Sequence, residues 1–164
     1  MIFTRETIKT LNSPKNGVKI GDFVNKLLPF GVLGDSVENE IREVMLQQGF
    51  MLAPQQPRNY DSAIPGGFFE IQWHDHSVSE HDDDVCSPCF FCVMPFQFRK
   101  ITKSYYSAMP ELVYFGADRK KKSSKLESGE AIIFNPRKPH SLNYFGIEVK
   151  LIIFSVVKAK SKNT

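Results

Sequence analysis

The chain has 164 residues, 41% hydrophobic and 24% charged, with a formal net charge of +3. This is an ordinary composition for a globular protein, and the length is enough for one domain with a real core. The charge is too small to argue for nucleic acid by itself, and no apolar run reaches membrane-spanning length.

The opening "MIFTRETIK" is no signal peptide, because charged residues interrupt any hydrophobic stretch, so a cytoplasmic protein is expected. Two helices are predicted first. In "GDFVNKLLPFG", Phe23, Val24, Leu27 and Leu28 share one face behind an Asp22 cap, and Pro29 with Gly31 ends it. In "DSVENEIREVMLQQG", Asp35 and Glu38 form a capping-box pattern, Val37, Ile41, Val44 and Met45 recur at helical spacing, and Gly49 stops the helix. A segment punctuated by proline and glycine follows, from Pro54 to Gly67.

From there the apolar runs become short, β-branched and aromatic: "FFEIQW", "CFFCVMPFQF", "ELVYF", "AIIFN", "HSLNYF" and "VKLIIFSVV". Weaker strands at "SVSEH" and "SSKL" bring the count to about eight. Fourteen phenylalanines suit an aromatic-rich β core. Helices first and then strands without interleaved helices predict an α+β or mainly β barrel or sandwich, in a single domain spanning 1–164.

The stretch "LESGEAIIFNPRKPHSLNYFGIEVKLIIFSVV" carries the most information. A turn at Gly129-Glu130 leads into a buried strand from Ala131 to Phe134. "NPRKP" turns again, His140 opens the next strand, Gly146 turns, and Lys150 opens the last. This resembles the closing half of the double-stranded β-helix, the jelly-roll barrel shared by cupins and Fe(II)/2-oxoglutarate-dependent dioxygenases. The resemblance covers about residues 67–157 and implies a jelly-roll core there, with 1–53 as a helical buttress. A strand that opens at a barrel mouth can point His140 inward. A hydrogen-bonded wall histidine is the plainer reading of that residue.

"WHDHSVSEHDDD" holds three of the four histidines and offers two ways to complete a metal site. His81 and Asp83 with His140 make a facial triad of two imidazoles and one carboxylate, which leaves open positions on Fe(II). "SEHDDD" running into "SPCFFCVMPF" also resembles the turn into a core strand in alkylation-repair-type dioxygenases, though no nucleic-acid substrate is carried over. The dioxygenase resemblance implies Fe(II) and 2-oxoglutarate as cofactors. Lys150 would pair the far carboxylate of the oxo acid, and Tyr114 or Tyr105 would offer a hydroxyl. Partners are then a small-molecule co-substrate and an unidentified primary substrate, with no membrane. Alternatively His74, His76 and Glu80 match the first cupin motif, with His140 as fourth ligand; period-two alternation would put His74 and His76 on one face. That reading implies a cupin-type dioxygenase or isomerase without 2-oxoglutarate. If neither site forms, Asp82 to Asp84 is a solvated acidic turn and the chain a non-catalytic binding module.

Three further signals are weaker. "SPCFFC" carries half of a deaminase zinc signature, but the His-x-Glu that such chemistry requires upstream is missing. Cys86, Cys89 and Cys92 cannot all point to one side of a strand and read as small core hydrophobes rather than a zinc or disulfide set. "RKKKSSK", from Arg119 to Lys125, reads as capping a hairpin, with a substrate-facing basic edge as the other reading.

Overall fold

A computed structural model describes residues 3–12, 26–29, 33–53, 68–83, 90–100, 106–127 and 130–160, with the backbone alone at 26–29 and 68. Among these residues there are two helices, α1 (Arg5–Leu11) and α2 (Asp35–Gln47). The strands are β1 (Lys26–Pro29), β2 (Phe50–Leu52), β3 (Phe68–His74), β4 (Val78–His81), β5 (Phe90–Lys100), β6 (Ala108–Phe115), β7 (Lys121–Lys125), β8 (Ile132–Phe134), β9 (His140–Phe145) and β10 (Ile147–Lys158). They form two antiparallel sheets. Sheet A runs β1-β3-β10-β5-β8, with β2 also on β10; sheet B runs β4-β9-β6-β7. The fold is mainly β, a jelly-roll of two facing sheets with helices on one side.

Strand alternation divides the core in two. Phe69, Ile71, Met94, Phe96, Ile152 and Phe154 leave sheet A on the face covered by α1 and α2, against Leu11, Ile41 and Met45. Phe91, Val93, Val149, Leu151 and Ile153 leave it on the other face and meet Leu112, Tyr114 and Leu142 of sheet B. Burying each of these large side chains contributes roughly 2 kcal/mol. Cys92 belongs to the helix-side core, where burial pushes its thiol up to about 12; Cys86 and Cys89 lie outside the described residues.

α2 follows its pattern closely. Val37, Ile41 and Met45 are buried and Val44 packs partly against the same core. The capping box does not form. Gly34, at φ 91, is the N-cap residue, and Asp35 is already helical. Asp35 and Glu38 instead place negative charge in the first turn, where the helix dipole favours it. The first predicted helix is corrected more deeply. Its described part, Lys26–Pro29, is strand β1, paired antiparallel with β3, while Asp22, Phe23 and Val24 lie outside the described residues. Leucines in a short run suit a buried strand as well as a helical face, and pairing with β3 decides it. The first helix is α1, which starts behind Thr4, whose hydroxyl accepts from Thr7 N–H at 3.2 Å. The backbone N–H of Thr4 donates to Glu40 of α2 at 2.7 Å, tying the helices together. The segment 1–53 is therefore more than a helical buttress, since it also supplies β1 and β2 to sheet A. No helix among the described residues is long and apolar enough to cross a membrane.

Candidate metal centre

Sheet B positions the candidate ligands. β4 and β9 pair so that His81 stands opposite His140. Just beyond β4, the Asp83 N–H donates to the Pro136 carbonyl at 2.7 Å, which pins Asp83 against the turn preceding β9. The Asp83 carboxylate then lies 3.1 Å from His140 Nε2 and 3.8 Å from His81 Nε2. Ligand atoms of the three residues all fall within 4.8 Å of one another, the one such group of three or more among the described residues.

Both imidazoles are oriented by the main chain. His81 Nδ1 lies 2.8 Å from the Ser79 carbonyl and His140 Nδ1 lies 2.9 Å from the Lys138 carbonyl. A carbonyl only accepts, so each Nδ1 carries a hydrogen and donates it. In the neutral ring the lone pair is then on Nε2, the atom that faces Asp83. Fixing the far nitrogen in this way is how proteins prepare histidine as a metal ligand. His140 is buried, with its ring 4.9 Å from that of Phe134. Burial disfavours its charged form, but the Asp83 hydrogen bond, the Lys138 carbonyl and the charges of Asp83 and Asp82 together raise its pKa above 6.5. The carboxylate therefore favours a proton on Nε2, and a cation bound there would take that proton's place.

The three residues open onto a cavity of about 360 Å³ between the sheets. Its walls are mostly apolar, with Phe91, Val93, Phe134 and Leu151 from sheet A and Leu112 and Leu142 from sheet B. One polar ladder interrupts them on β3. Glu70 leaves that strand on the barrel side, opposite Phe69 and Ile71, and is buried. Gln72 Nε2 donates to Glu70 at 2.9 Å, and Gln72 Oε1 accepts from His74 Nε2 at 2.8 Å. Burial, then repulsion from His76, pushes His74 down to about 4 against the opposing pull of Asp75, so this ring is neutral.

The other candidate residues are placed differently. β3 ends at His74, and Asp75 and His76 form a bend in which His76 Nδ1 pairs with Asp75 at 2.7 Å. The alternation expected to align His74 with His76 stops two residues short of His76. His74, His76, Glu80 and His140 form no metal-sized group, so the cupin set is not assembled. Lys150 does not open the last strand; β10 begins at Ile147. Val149 and Leu151 face the barrel, so Lys150 faces the helices, its Nζ 3.1 Å from Asn12 Oδ1 and 5.7 Å from the Phe96 ring centre. It therefore offers no counter-charge inside the cavity. The Tyr114 hydroxyl is bonded to Ser124 Oγ of β7 at 3.0 Å and does not line the cavity. Tyr105 and Gly129 lie outside the described residues.

Sequence reasoning missed Gln72 and Ser141, which line the cavity, and Glu70, which is bonded to Gln72. The period-two series Glu70, Gln72, His74 was the signal available for the ladder. The carbonyls of Ser79, Pro136 and Lys138 gave no signal, because any residue type supplies one.

No protein-family model matches the chain, and no curated protein sequence matches it. Among solved structures it is similar to a prolyl-4-hydroxylase from Pseudomonas putida, with a TM-score of 0.50 and 11% identity over 98% of this chain and 90% of that one. It is also similar to a Neisseria meningitidis protein, with a TM-score of 0.34 and 12% identity over 61% and 80% of the two chains. The first likeness is one of fold and agrees with the jelly-roll.

Proposed function

We propose that this chain is a non-haem Fe(II)-dependent oxygenase of the 2-oxoglutarate class, with His81, Asp83 and His140 as the metal ligands. One observation carries the reading: two Nε2 lone pairs and a carboxylate converge at the mouth of a cavity, with both rings tied back by main-chain carbonyls. Two imidazoles and one carboxylate are the donor set that suits Fe(II) and leaves positions open for co-substrate and oxygen. The prolyl-4-hydroxylase neighbour supports hydroxylation as the reaction type, without carrying its substrate over.

Fe(II) bound there would supply the activation of O2 for inserting one oxygen atom into a substrate C–H bond. The chain's own part is to orient and to shield. Ser79 and Lys138 hold the imidazoles, Pro136 holds Asp83, and the apolar walls keep water from the reacting face. The residues fit the iron better than they fit 2-oxoglutarate. Among the described residues lining the cavity, the far carboxylate would meet Gln72 and Ser141 but no Lys or Arg.

Metal content and anaerobic spectroscopy test this directly. Reconstituted protein should bind one Fe(II), and adding 2-oxoglutarate should produce a visible metal-to-ligand absorbance band. Disturbing partners of a metal ligand costs about 10–100-fold in affinity, and removing a ligand costs more. Asp83→Ala and His140→Ala should therefore lose Fe(II) by well over about 100-fold, while His74→Ala keeps it. Iron retained by Asp83→Ala and lost from His74→Ala would overturn the site. Iron bound without a 2-oxoglutarate band would overturn the co-substrate alone.

A further inference from the structure

The basic run "RKKKSSK" is not used by the metal site, yet the topology brings it there. β6 runs antiparallel to β9, with Val113 opposite Ser141, so the end of β6 and the start of β7 lie at the His140 end of sheet B. The turn between them is closed by Gly116 and Lys120, whose N–H and carbonyl bond at 3.0 Å. The turn before β9 is closed from Lys138 N–H to the Asn135 carbonyl at 3.2 Å. The two turns are joined, because the Asn135 N–H donates to the Phe115 carbonyl at 2.8 Å. The next residue, Pro136, holds Asp83. A continuous main-chain connection thus links the basic turns to the candidate ligands.

Five exposed cations project from these turns and the start of β7: Arg119, Lys120, Lys121, Arg137 and Lys138. None makes an ion pair among the described residues, whereas Lys122 is paired with Asp118 at 3.0 Å. Arg119 stands at φ 66, in the left-handed region where Gly or Asn costs less, so the turn's own geometry does not select arginine. Among the described residues β7 is the outer strand of sheet B and carries further lysines, and no described strand pairs with the side of its backbone away from β6.

We propose that this strip binds an acidic peptide segment in extended form along β7, with its carboxylates on the two basic turns, and so guides a neighbouring residue of that peptide to the cavity mouth. Its being a substrate rests on the oxygenase reading; its binding does not. An edge strand offers main-chain groups that match a peptide backbone, and the flanking cations select for acidic side chains. A single-stranded nucleic acid would need exposed aromatic rings for its bases, and the strip shows none among the described residues.

Fluorescence anisotropy on the iron-loaded protein tests this with three labelled probes. They are a ten-residue peptide alternating Glu and Val, the same peptide with Lys for Glu, and an oligothymidine. The acidic peptide should bind, weaken as salt rises, and lose at least tenfold in affinity with Arg119→Glu combined with Lys121→Glu. That variant should keep its iron, which separates failure of the strip from failure of the metal site. Lys158→Glu, at the far end of β10, should bind the peptide as the parent does. N-methylating alternate amides of the peptide should also weaken it severalfold. No binding of the acidic peptide, equal binding by the charge-reversed variant, indifference to N-methylation, or tighter binding of the oligothymidine would each overturn the proposal.

Discussion

The two faces of β10 show how one strand serves two unlike environments. On one face Val149, Leu151 and Ile153 look into the barrel, and Leu151 and Ile153 line the cavity. On the other, Lys150, Ile152 and Phe154 meet the helix layer, and Glu148 accepts from Arg99 of β5 at 2.8 Å. The helix face is closed by packing, and even its charges are matched within it. The barrel face leaves space, with its polar atoms gathered on β3 and at the rim. The helix face therefore carries stability and the barrel face carries chemistry, and the two should respond separately to substitution.

The largest effect is expected on the helix face. Phe154 is fully buried, its ring 6.1 Å from that of Phe69. Phe154→Ala should cost about 3–5 kcal/mol through lost transfer free energy and the cavity left behind. Urea unfolding at neutral pH measures this, and the Fe(II) affinity of the remaining folded protein should stay within a few-fold of the parent's. A comparable loss of iron affinity would show that the faces are coupled.

The second effect belongs to the barrel face and depends on pH. His74 titrates near 4 in the folded chain, against 6.5 as its ordinary value. The unfolded state therefore binds the extra proton between those values, and stability falls as pH drops from 6.5 towards 4, then levels. The full difference is about 3 kcal/mol, each pKa unit being worth about 1.4 kcal/mol. His140 has the opposite sign. Its raised pKa gives stability that is present below 6.5 and is lost as pH rises through the folded value. Unfolding of the parent and of His74→Gln at pH 7 and pH 4.5 isolates the first contribution, since titrations common to both proteins cancel. The parent should lose more stability than the variant; equal losses would place His74 in contact with water.

The same division explains what was legible in the sequence. α2 could be read because a helical period of apolar residues has one solution, whereas the leucines of β1 fit either a helix or a strand until β3 pairs with them. His81, Asp83 and His140 could be named because their residue types are scarce, and the structure brings them together. Their supporting carbonyls left no trace. Lys150 was misplaced because which side of a strand a residue faces depends on where the strand starts. β10 starts at Ile147, and its regular alternation, with Val149 and Leu151 in the barrel, turns Lys150 to the helices, while the bulge at Phe96 belongs to β5. That start has no residue signature. His76 failed for a related reason, since the end of β3 at His74 is set by the bend that follows.

The smallest effect sharpens the comparison most. Lys150→Met keeps the length of the side chain and its packing against Phe96, and it removes a charge whose burial lowers its pKa. The lost bond to Asn12 and the relieved desolvation oppose each other, so stability should change by no more than about 1 kcal/mol. Because Lys150 faces the helices, the 2-oxoglutarate concentration that half-develops the anaerobic absorbance band should be unchanged. A lysine that paired the far carboxylate would lose a charge-assisted bond on substitution, worth about 1.5–3 kcal/mol, or roughly tenfold or more in affinity. A shift of that size would place Lys150 inside the barrel and reverse the facing of this part of β10; no shift leaves recognition of the far carboxylate to groups other than Lys150.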